Sequence, residues 1–206
     1  MFSKLIYSAV LLFALSSCNK TSTDKTVAAT STDSTANMKS ENSVLMGGKT
    51  VHTVGKLPAT GTEAPAFTLA DVEMGDKTLD DFKGKSIILN IFPSVDTGVC
   101  SASVRKFNKE AANLPNAVVL CISKDLPLAQ KRFCGAEGIK NVVMLSDYRS
   151  DFGKTYGVQL TDSPMRGLLS RAVVVINPEG KIVYEEQVSD ISHEPNYEAA
   201  IKAVKG

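Results

Sequence analysis

Apolar and polar positions alternate between strand-like and helix-like segments along most of this chain. A continuous apolar run rich in β-branched residues covers 86–92 and predicts a strand buried on both faces. After it, apolar residues at helical spacing, separated by charged ones, predict an amphipathic helix through 104–111. The same reasoning predicts strands at 66–69, 77–79, 117–122, 142–145, 172–176 and 181–188, and helices at 126–133, 151–156 and 196–205.

Two glycine-containing turns add antiparallel pairs to this outline. Val44–Met46 and Thr50–Val54 flank Gly47-Gly48-Lys49 and predict an N-terminal β-hairpin. The strands on either side of Asn177-Pro178-Glu179-Gly180 predict a second hairpin. Interleaved strands and helices favour an α/β domain with a central mixed β-sheet flanked by helices, and this outline suits a thioredoxin-like fold.

The first 17 residues have the pattern of an export signal. Lys4 precedes an apolar stretch over 5–15, which is too short to span a membrane, and small residues follow. The sequence Leu15-Ser16-Ser17-Cys18 resembles a bacterial lipobox, in which the cysteine receives lipid and becomes the mature N-terminus. An ordinary signal peptide with a chance cysteine, or an uncleaved anchor, is the alternative. We expect an exported protein held on a bacterial membrane, at its periplasmic or cell-surface face, through lipid on Cys18.

Residues 18–42 read as a tether and 43–206 as one domain. The tether consists almost wholly of Ser, Thr, Ala, Asp, Asn and Lys, so it has little apolar surface to bury and predicts flexibility. An extension folded onto the domain is the alternative.

Charge and cysteine content exclude several classes of protein. The chain has 206 residues and a net charge of +1, which offers no excess field for nucleic acid or for an anionic membrane surface. Four cysteines and two histidines, without a C-x-x-C pair, make a disulfide scaffold or a structural zinc site improbable. No glycine-rich phosphate loop follows a predicted strand, and we expect neither metal nor cofactor.

The candidate chemistry lies between the buried strand at 86–92 and the helix after it. Cys100 falls in the first turn of that helix, where unpaired N–H groups and the helix dipole stabilise a thiolate. Thr97 stands three residues earlier and can place its hydroxyl beside the sulfur, while Pro93 ends the strand and shields the pocket. A cysteine packed as a small apolar residue is the competing interpretation.

These residues resemble the peroxiredoxin family. Pro93, Thr97 and Cys100 match its Pro-x-x-x-Thr-x-x-Cys pattern, and the wider run over 90–108 looks like its bacterial thiol peroxidase branch. Residues 132–138 and 171–176 look like the same branch. The similarity extends from about Val44 to the C-terminus, and it covers neither the signal nor the tether.

The resemblance implies a mechanism and a set of roles. Cys100 would attack a hydroperoxide and become a sulfenic acid, Cys134 would resolve it as an intrachain disulfide, and a thioredoxin-type dithiol donor would reduce that disulfide. Arg171 matches the family's strand-borne arginine beside the thiolate. From the sequence alone, Arg149 or Arg166 could instead supply the cation. We also expect a homodimer, whose interface the sequence does not define.

Other features carry alternatives. Cys121 lies inside an apolar strand and is interpreted as core. Met165, Leu168 and Leu169 could form an apolar rim that favours alkyl hydroperoxides, or could be ordinary core. A thioredoxin-like thiol-disulfide oxidoreductase is the rival enzyme, but it requires a cysteine where Thr97 stands. A non-enzymatic domain stapled by a Cys100–Cys134 disulfide is the second rival.

Overall fold

Nine strands and four α-helices follow one another through residues 42–205, which are the residues that the computed structural model describes. The strands are β1 (Asn42–Met46), β2 (Lys49–Thr53), β3 (Thr68–Asp71), β4 (Asp76–Thr78), β5 (Ser86–Ile91), β6 (Ala117–Ser123), β7 (Val143–Ser146), β8 (Ala172–Ile176) and β9 (Ile182–Gln187). The helices are α1 (Gly98–Ala111), α2 (Pro127–Glu137), α3 (Phe152–Thr155) and α4 (Tyr197–Lys205).

Seven of these strands form one mixed sheet in the order β4-β3-β7-β6-β5-β8-β9. The central strands β5, β6 and β7 are parallel, whereas β8 and β9 on one side and β3 and β4 on the other are joined by antiparallel pairing. All residues of β5 and β8 are buried, as the continuous apolar runs predict. The predicted mixed sheet and thioredoxin-like α/β fold are confirmed.

The two faces of the sheet carry separate apolar cores because successive strand residues point to opposite sides. Ile87, Leu89 and Ile91 of β5 belong to a cluster that includes Phe152 and Tyr156. Ile88 belongs to the opposite cluster, which α1 and α4 cover and which contains Cys100, Phe107 and Ala200. Cys100 and its motif therefore lie on the face of the sheet that α1 and α4 cover.

The predicted N-terminal hairpin forms and packs on the domain. Strand β1 pairs with β2 in antiparallel register, and Gly47 and Gly48 make the turn with positive φ angles of 58° and 80°. Val44 and Val51 are buried against Leu160 and Ile191. The hairpin thus has its own small core against the body of the domain.

Several predicted bounds shift. The helix expected at 126–133 continues to Glu137 and therefore includes Cys134, and Gly138 ends it in a left-handed conformation. A 3₁₀-helix over Leu79–Phe82 was not predicted. The predicted signal, Cys18 and the tether lie outside the described residues, except that Asn42 begins β1. Within 42–205, no helix is long and apolar enough to cross a membrane.

Candidate active site

Cys100 is fully buried at the third position of α1, where the sequence places it. Thr97 is the N-cap residue with an extended backbone, and its Oγ1 donates a hydrogen bond to Cys100 Sγ at 2.7 Å. Pro93 is buried between the end of β5 and the turn before the helix. The first N–H groups of an α-helix lack intrahelical acceptors, so the sulfur lies where negative charge is favoured.

Arg171 is the cation that the structure brings to this sulfur. It precedes β8, is 1% exposed, and its Nη2 donates to Cys100 Sγ at 3.3 Å. Its Nε donates to the carbonyl oxygen of Ile191 at 3.0 Å, whereas Nη1 is buried and has no hydrogen-bond partner among residues 42–205. A buried donor without a partner is costly, so this guanidinium has capacity for a further acceptor.

The two alternative arginines lie elsewhere. Arg149 is exposed, pairs with Asp76 at 2.7 Å and lies over the ring of Tyr148. Arg166 is exposed in the segment between α3 and β8. Arg149 also donates to the Met74 carbonyl oxygen, and none of these contacts involves Cys100. The structure therefore favours Arg171 over both alternatives for the place beside the thiol.

Cys134 lies half-buried on α2 and packs against the cluster that contains Cys100. Burial raises the pKa of its thiol. Cys100, Cys121 and Cys134 are all free thiols in this structure. A Cys100–Cys134 bond would therefore require the two sulfurs to move together.

Cys121 behaves as the sequence predicts for a core residue. It is fully buried in β6, and burial raises the pKa of its thiol to about 12. Asn90 Nδ2 donates to its sulfur at 3.5 Å. A thiol with so high a pKa forms almost no thiolate near neutral pH and is a poor nucleophile.

Comparison with known proteins places this chain in a family. The Redoxin family model matches residues 59–201. The chain is 55% identical to the thiol peroxidase of Mycobacterium bovis over 161 residues, which cover 78% of this chain and 97% of that protein. It is 52% identical to the thiol peroxidase of Corynebacterium glutamicum over 157 residues, covering 76% and 95% of the two chains.

This chain belongs to the thiol peroxidase branch of the redoxin family. Solved structures agree. A peroxiredoxin-like protein from Aquifex aeolicus superposes with a TM-score of 0.76 at 35% identity, over 80% of this chain and 97% of that one. The thiol peroxidase from Chromobacterium violaceum gives a TM-score of 0.74 at 25% identity, over 79% and 95%. The family resemblance seen in the sequence is confirmed.

Three polar residues that sequence reasoning missed also contact the active-site segment. Asn90 on β5 and Ser103 on α1 are fully buried, and Ser103 Oγ donates to the carbonyl oxygen of Cys100 at 3.0 Å. Asp125 contacts the loop before the helix, through Ser94 and Val95. A polar residue inside the apolar strand at 86–92 was the one available signal for Asn90; no local pattern marks Asp125.

The proposed apolar rim is only partly a surface feature. Leu169 is fully buried in the core on the face of the sheet opposite Cys100, so of the two alternatives the core interpretation holds for this residue. Met165 packs against the hairpin cluster with Leu160 and Ile191, and Leu168 is half-buried.

Proposed function

We propose that this thiol peroxidase reduces hydroperoxides with Cys100 as the attacking thiolate and Cys134 as the resolving thiol. The observation that carries the proposal is the convergence of Thr97 and Arg171 on one buried sulfur, with Arg171 Nη1 left without a partner in the described part of the chain. A peroxide oxygen placed next to the sulfur would accept a hydrogen bond from Arg171 Nη1. Breaking the O–O bond places negative charge on the peroxide oxygens, and fixed donors such as Thr97 and Arg171 would stabilise that charge.

The first step transfers two electrons from sulfur to the peroxide. The Cys100 thiolate attacks the terminal oxygen of R–O–O–H, the S–O bond forms and the O–O bond breaks. The alkoxide takes up a proton and leaves as an alcohol, or as water when R is hydrogen. Cys100 becomes a sulfenic acid. Arg171 and Thr97 would hold the peroxide in line with the sulfur and stabilise the departing oxygen.

The second step forms the intrachain disulfide. The Cys134 sulfur attacks the Cys100 sulfenic acid, the S–S bond forms, and water leaves. Burial raises the pKa of the Cys134 thiol in the present arrangement, so a smaller fraction of it is the nucleophilic thiolate there than in water. A dithiol donor of thioredoxin type would then reduce the disulfide by exchange, releasing two thiols for the next cycle.

A thioredoxin-like disulfide reductase is a weaker candidate on this site. Such an enzyme needs a second cysteine at the start of the helix, and Thr97 occupies that position with its hydroxyl on the sulfur. No observation favours the alternative over a peroxidase.

Peroxide consumption by the full chain, solubilised in detergent and reduced beforehand, tests the proposal. We expect Cys100→Ser to abolish the reaction and Cys134→Ser to consume about one equivalent before stalling as oxidised Cys100. Mass spectrometry of the wild type should show a Cys100–Cys134 bond. Cys121→Ala is the matched control and should keep near-normal kinetics, since Cys121 is core. Turnover by Cys100→Ser would remove Cys100 from its role.

We further propose that the protein is exported, lipid-anchored at Cys18, and a homodimer in solution. The support for export and anchoring is the apolar segment of 5–15 and the lipobox-like sequence that ends at Cys18. The support for a dimer is the resemblance to the family alone.

A further inference from the structure

One carboxylate joins the active-site loop to the rest of the domain. Asp125 Oδ1 accepts a hydrogen bond from Ser94 Oγ at 2.7 Å, and Oδ2 accepts one from the Val95 N–H at 2.8 Å. Ser123 Oγ also donates to Oδ2, at 2.7 Å. Asp125 therefore holds two consecutive residues of the loop that precedes Thr97 and Cys100.

Ser94 connects this carboxylate to the reactive sulfur. Its carbonyl oxygen accepts the Thr97 N–H at 3.2 Å and lies 3.2 Å from Thr97 Oγ1. Thr97 Oγ1 in turn donates to Cys100 Sγ at 2.7 Å. The chain of contacts from Asp125 to the sulfur therefore passes through two residues, and a shift of Ser94 would move the Thr97 hydroxyl.

The backbone of Asp125 is hydrogen-bonded to the sheet and leads into α2, the helix that carries Cys134. Asp125 lies between β6 and α2, and its carbonyl oxygen accepts a hydrogen bond from Ser146 Oγ at the end of β7. Gln130, buried on α2, donates from Nε2 to Ser123 Oγ at 3.0 Å. Asp125 thus contacts the loop that precedes Cys100, and it also stands just before α2, the helix that carries Cys134.

Neutral donors satisfy the Asp125 carboxylate. The adjacent cation, Lys124, pairs instead with Asp147 at 3.0 Å and donates to the Asp147 carbonyl oxygen at 2.9 Å. Among residues 42–205, no salt bridge joins Asp125 to a positively charged side chain. Hydrogen bonds to a charged acceptor are about twice as strong as neutral ones, so the loop is held most firmly when all three donors are in place.

We propose that Asp125 is a positioning residue that fixes the Ser94–Val95 loop in the arrangement in which Cys100 reacts with peroxide. This inference rests on the proposed function of Cys100. Disulfide formation requires Cys100, which is buried, and Cys134 to leave the present arrangement. The Asp125 contacts therefore favour the first chemical step and oppose the second.

Asp147 provides a matched control. It follows β7 as Asp125 follows β6, is fully buried, and accepts hydrogen bonds from Ser150 Oγ and from the N–H groups of Phe152 and Gly153. These contacts hold the start of α3 and do not include the active-site loop. Its amide variant therefore removes a buried carboxylate, and with it the ion pair to Lys124, without removing a hydrogen bond to the active-site loop.

The test separates the two chemical steps in the full chain solubilised in detergent. In a Cys134→Ser background, reduced protein is mixed with hydrogen peroxide, quenched at intervals, and the Cys100 sulfenic acid is trapped and quantified by mass spectrometry. With Cys134 present, the same quench follows conversion of that sulfenic acid to the disulfide. Urea unfolding of each variant reports stability.

We expect Asp125→Asn to slow sulfenic acid formation by about 10- to 100-fold, because the amide cannot accept from all three donors and the loop loses its place. Disulfide formation should not slow. Asp147→Asn should lose stability and keep both rates. Ser94→Ala removes one contact, should fold, and should slow the first step by less than Asp125→Asn does.

The outcomes are distinct. An Asp125→Asn protein that is oxidised at the wild-type rate and loses only stability, as is expected of Asp147→Asn, overturns the proposal. A protein that slows equally in both steps also overturns it. If Asp125→Asn does not fold, the Ser94→Ala variant decides: a slower first step with unchanged disulfide formation supports the role, and wild-type rates overturn it. Failure of wild-type Cys100 to react with peroxide would instead refute the proposed function.

Discussion

The three guanidinium nitrogens of Arg171 have different roles. Its Nε is fixed by the Ile191 carbonyl oxygen, Nη2 contacts the Cys100 sulfur, and Nη1 has no hydrogen-bond partner within the described domain. The planar guanidinium makes this division possible, because its donors point in fixed and different directions. A lysine ammonium at the same place would keep the charge and lose that geometry.

Arg171→Lys should therefore slow the reaction of Cys100 with hydrogen peroxide by about 100-fold, the usual cost of removing a donor aimed at developing charge. The measurement is the second-order rate of sulfenic acid formation under the quench conditions described above. Arg149→Lys is the control, since Arg149 is exposed and bonded to Asp76. Equal rates for Arg171→Lys and the wild type would show that charge alone is needed.

Local sequence could predict part of this site and not the rest. Thr97 and Cys100 are three residues apart at the start of one helix, so helix geometry alone brings their side chains together. Arg171 stands 71 residues from Cys100, and sequence reasoning could not choose between it and two other arginines until the family resemblance was considered. Asp125 was missed because its loop partners lie about 30 residues earlier, on another strand's end.

At the scale of elements, the N-terminal hairpin supports Arg171 through the segment after β9. The Leu45 N–H donates to the Ser189 carbonyl oxygen at 2.7 Å, and the Ile191 N–H donates to the Leu45 carbonyl oxygen at 2.9 Å. Ile191 also packs against Val44 and Val51 of the hairpin. Since the Ile191 carbonyl oxygen fixes Arg171 Nε, the hairpin supports the active site indirectly, through Ile191.

Val51→Ala should accordingly affect both stability and the first chemical step. Removing two buried methyl groups lowers the free energy of unfolding by about 1–3 kcal/mol, and the loosened hairpin lets Ile191 and the arginine shift. We expect slower sulfenic acid formation and faster amide hydrogen exchange at Leu45 and Ile191. Val119→Ala in β6, beside Ile88 on β5, is the control. The same loss of rate in both variants would reduce the hairpin to a general stabilising element.

The elements themselves follow closely from the apolar pattern, whereas their arrangement does not. Strands β5 and β8 are continuous apolar runs, so burial on both faces could be predicted from the residues. The pairing of β3 with β7 joins segments about 75 residues apart, through contacts such as Ala70 with Ser146. No local pattern encodes such a pair, and the prediction stopped at a mixed sheet without a strand order.

At the scale of the whole molecule, the described domain has a complete set of groups for the proposed chemistry. These groups all belong to the chain segment that runs from the end of β5 to the start of β8, within the region that matches the family. They are Thr97, Cys100, Asp125, Cys134 and Arg171. Asn42, the first described residue, donates to Gln187, which donates to Ser170 beside Arg171. Residues before Asn42 contribute none of these groups, so attachment and catalysis should be separable.

Exchange of the first 18 residues for an ordinary cleavable export signal tests that separation. The exchanged protein should be released as a soluble domain, because the following Ser/Thr-rich segment has neither the apolar length nor the charge to hold a bilayer. Its peroxidase turnover should equal that of the wild type. Cys18→Ala should block lipid transfer and leave the precursor attached by its uncut apolar segment. Cells expressing the exchanged protein are fractionated, and the membranes are washed at high salt. A domain that still sediments with the membranes would show that something other than Cys18 anchors it, and would leave the assignment of Cys100 unchanged.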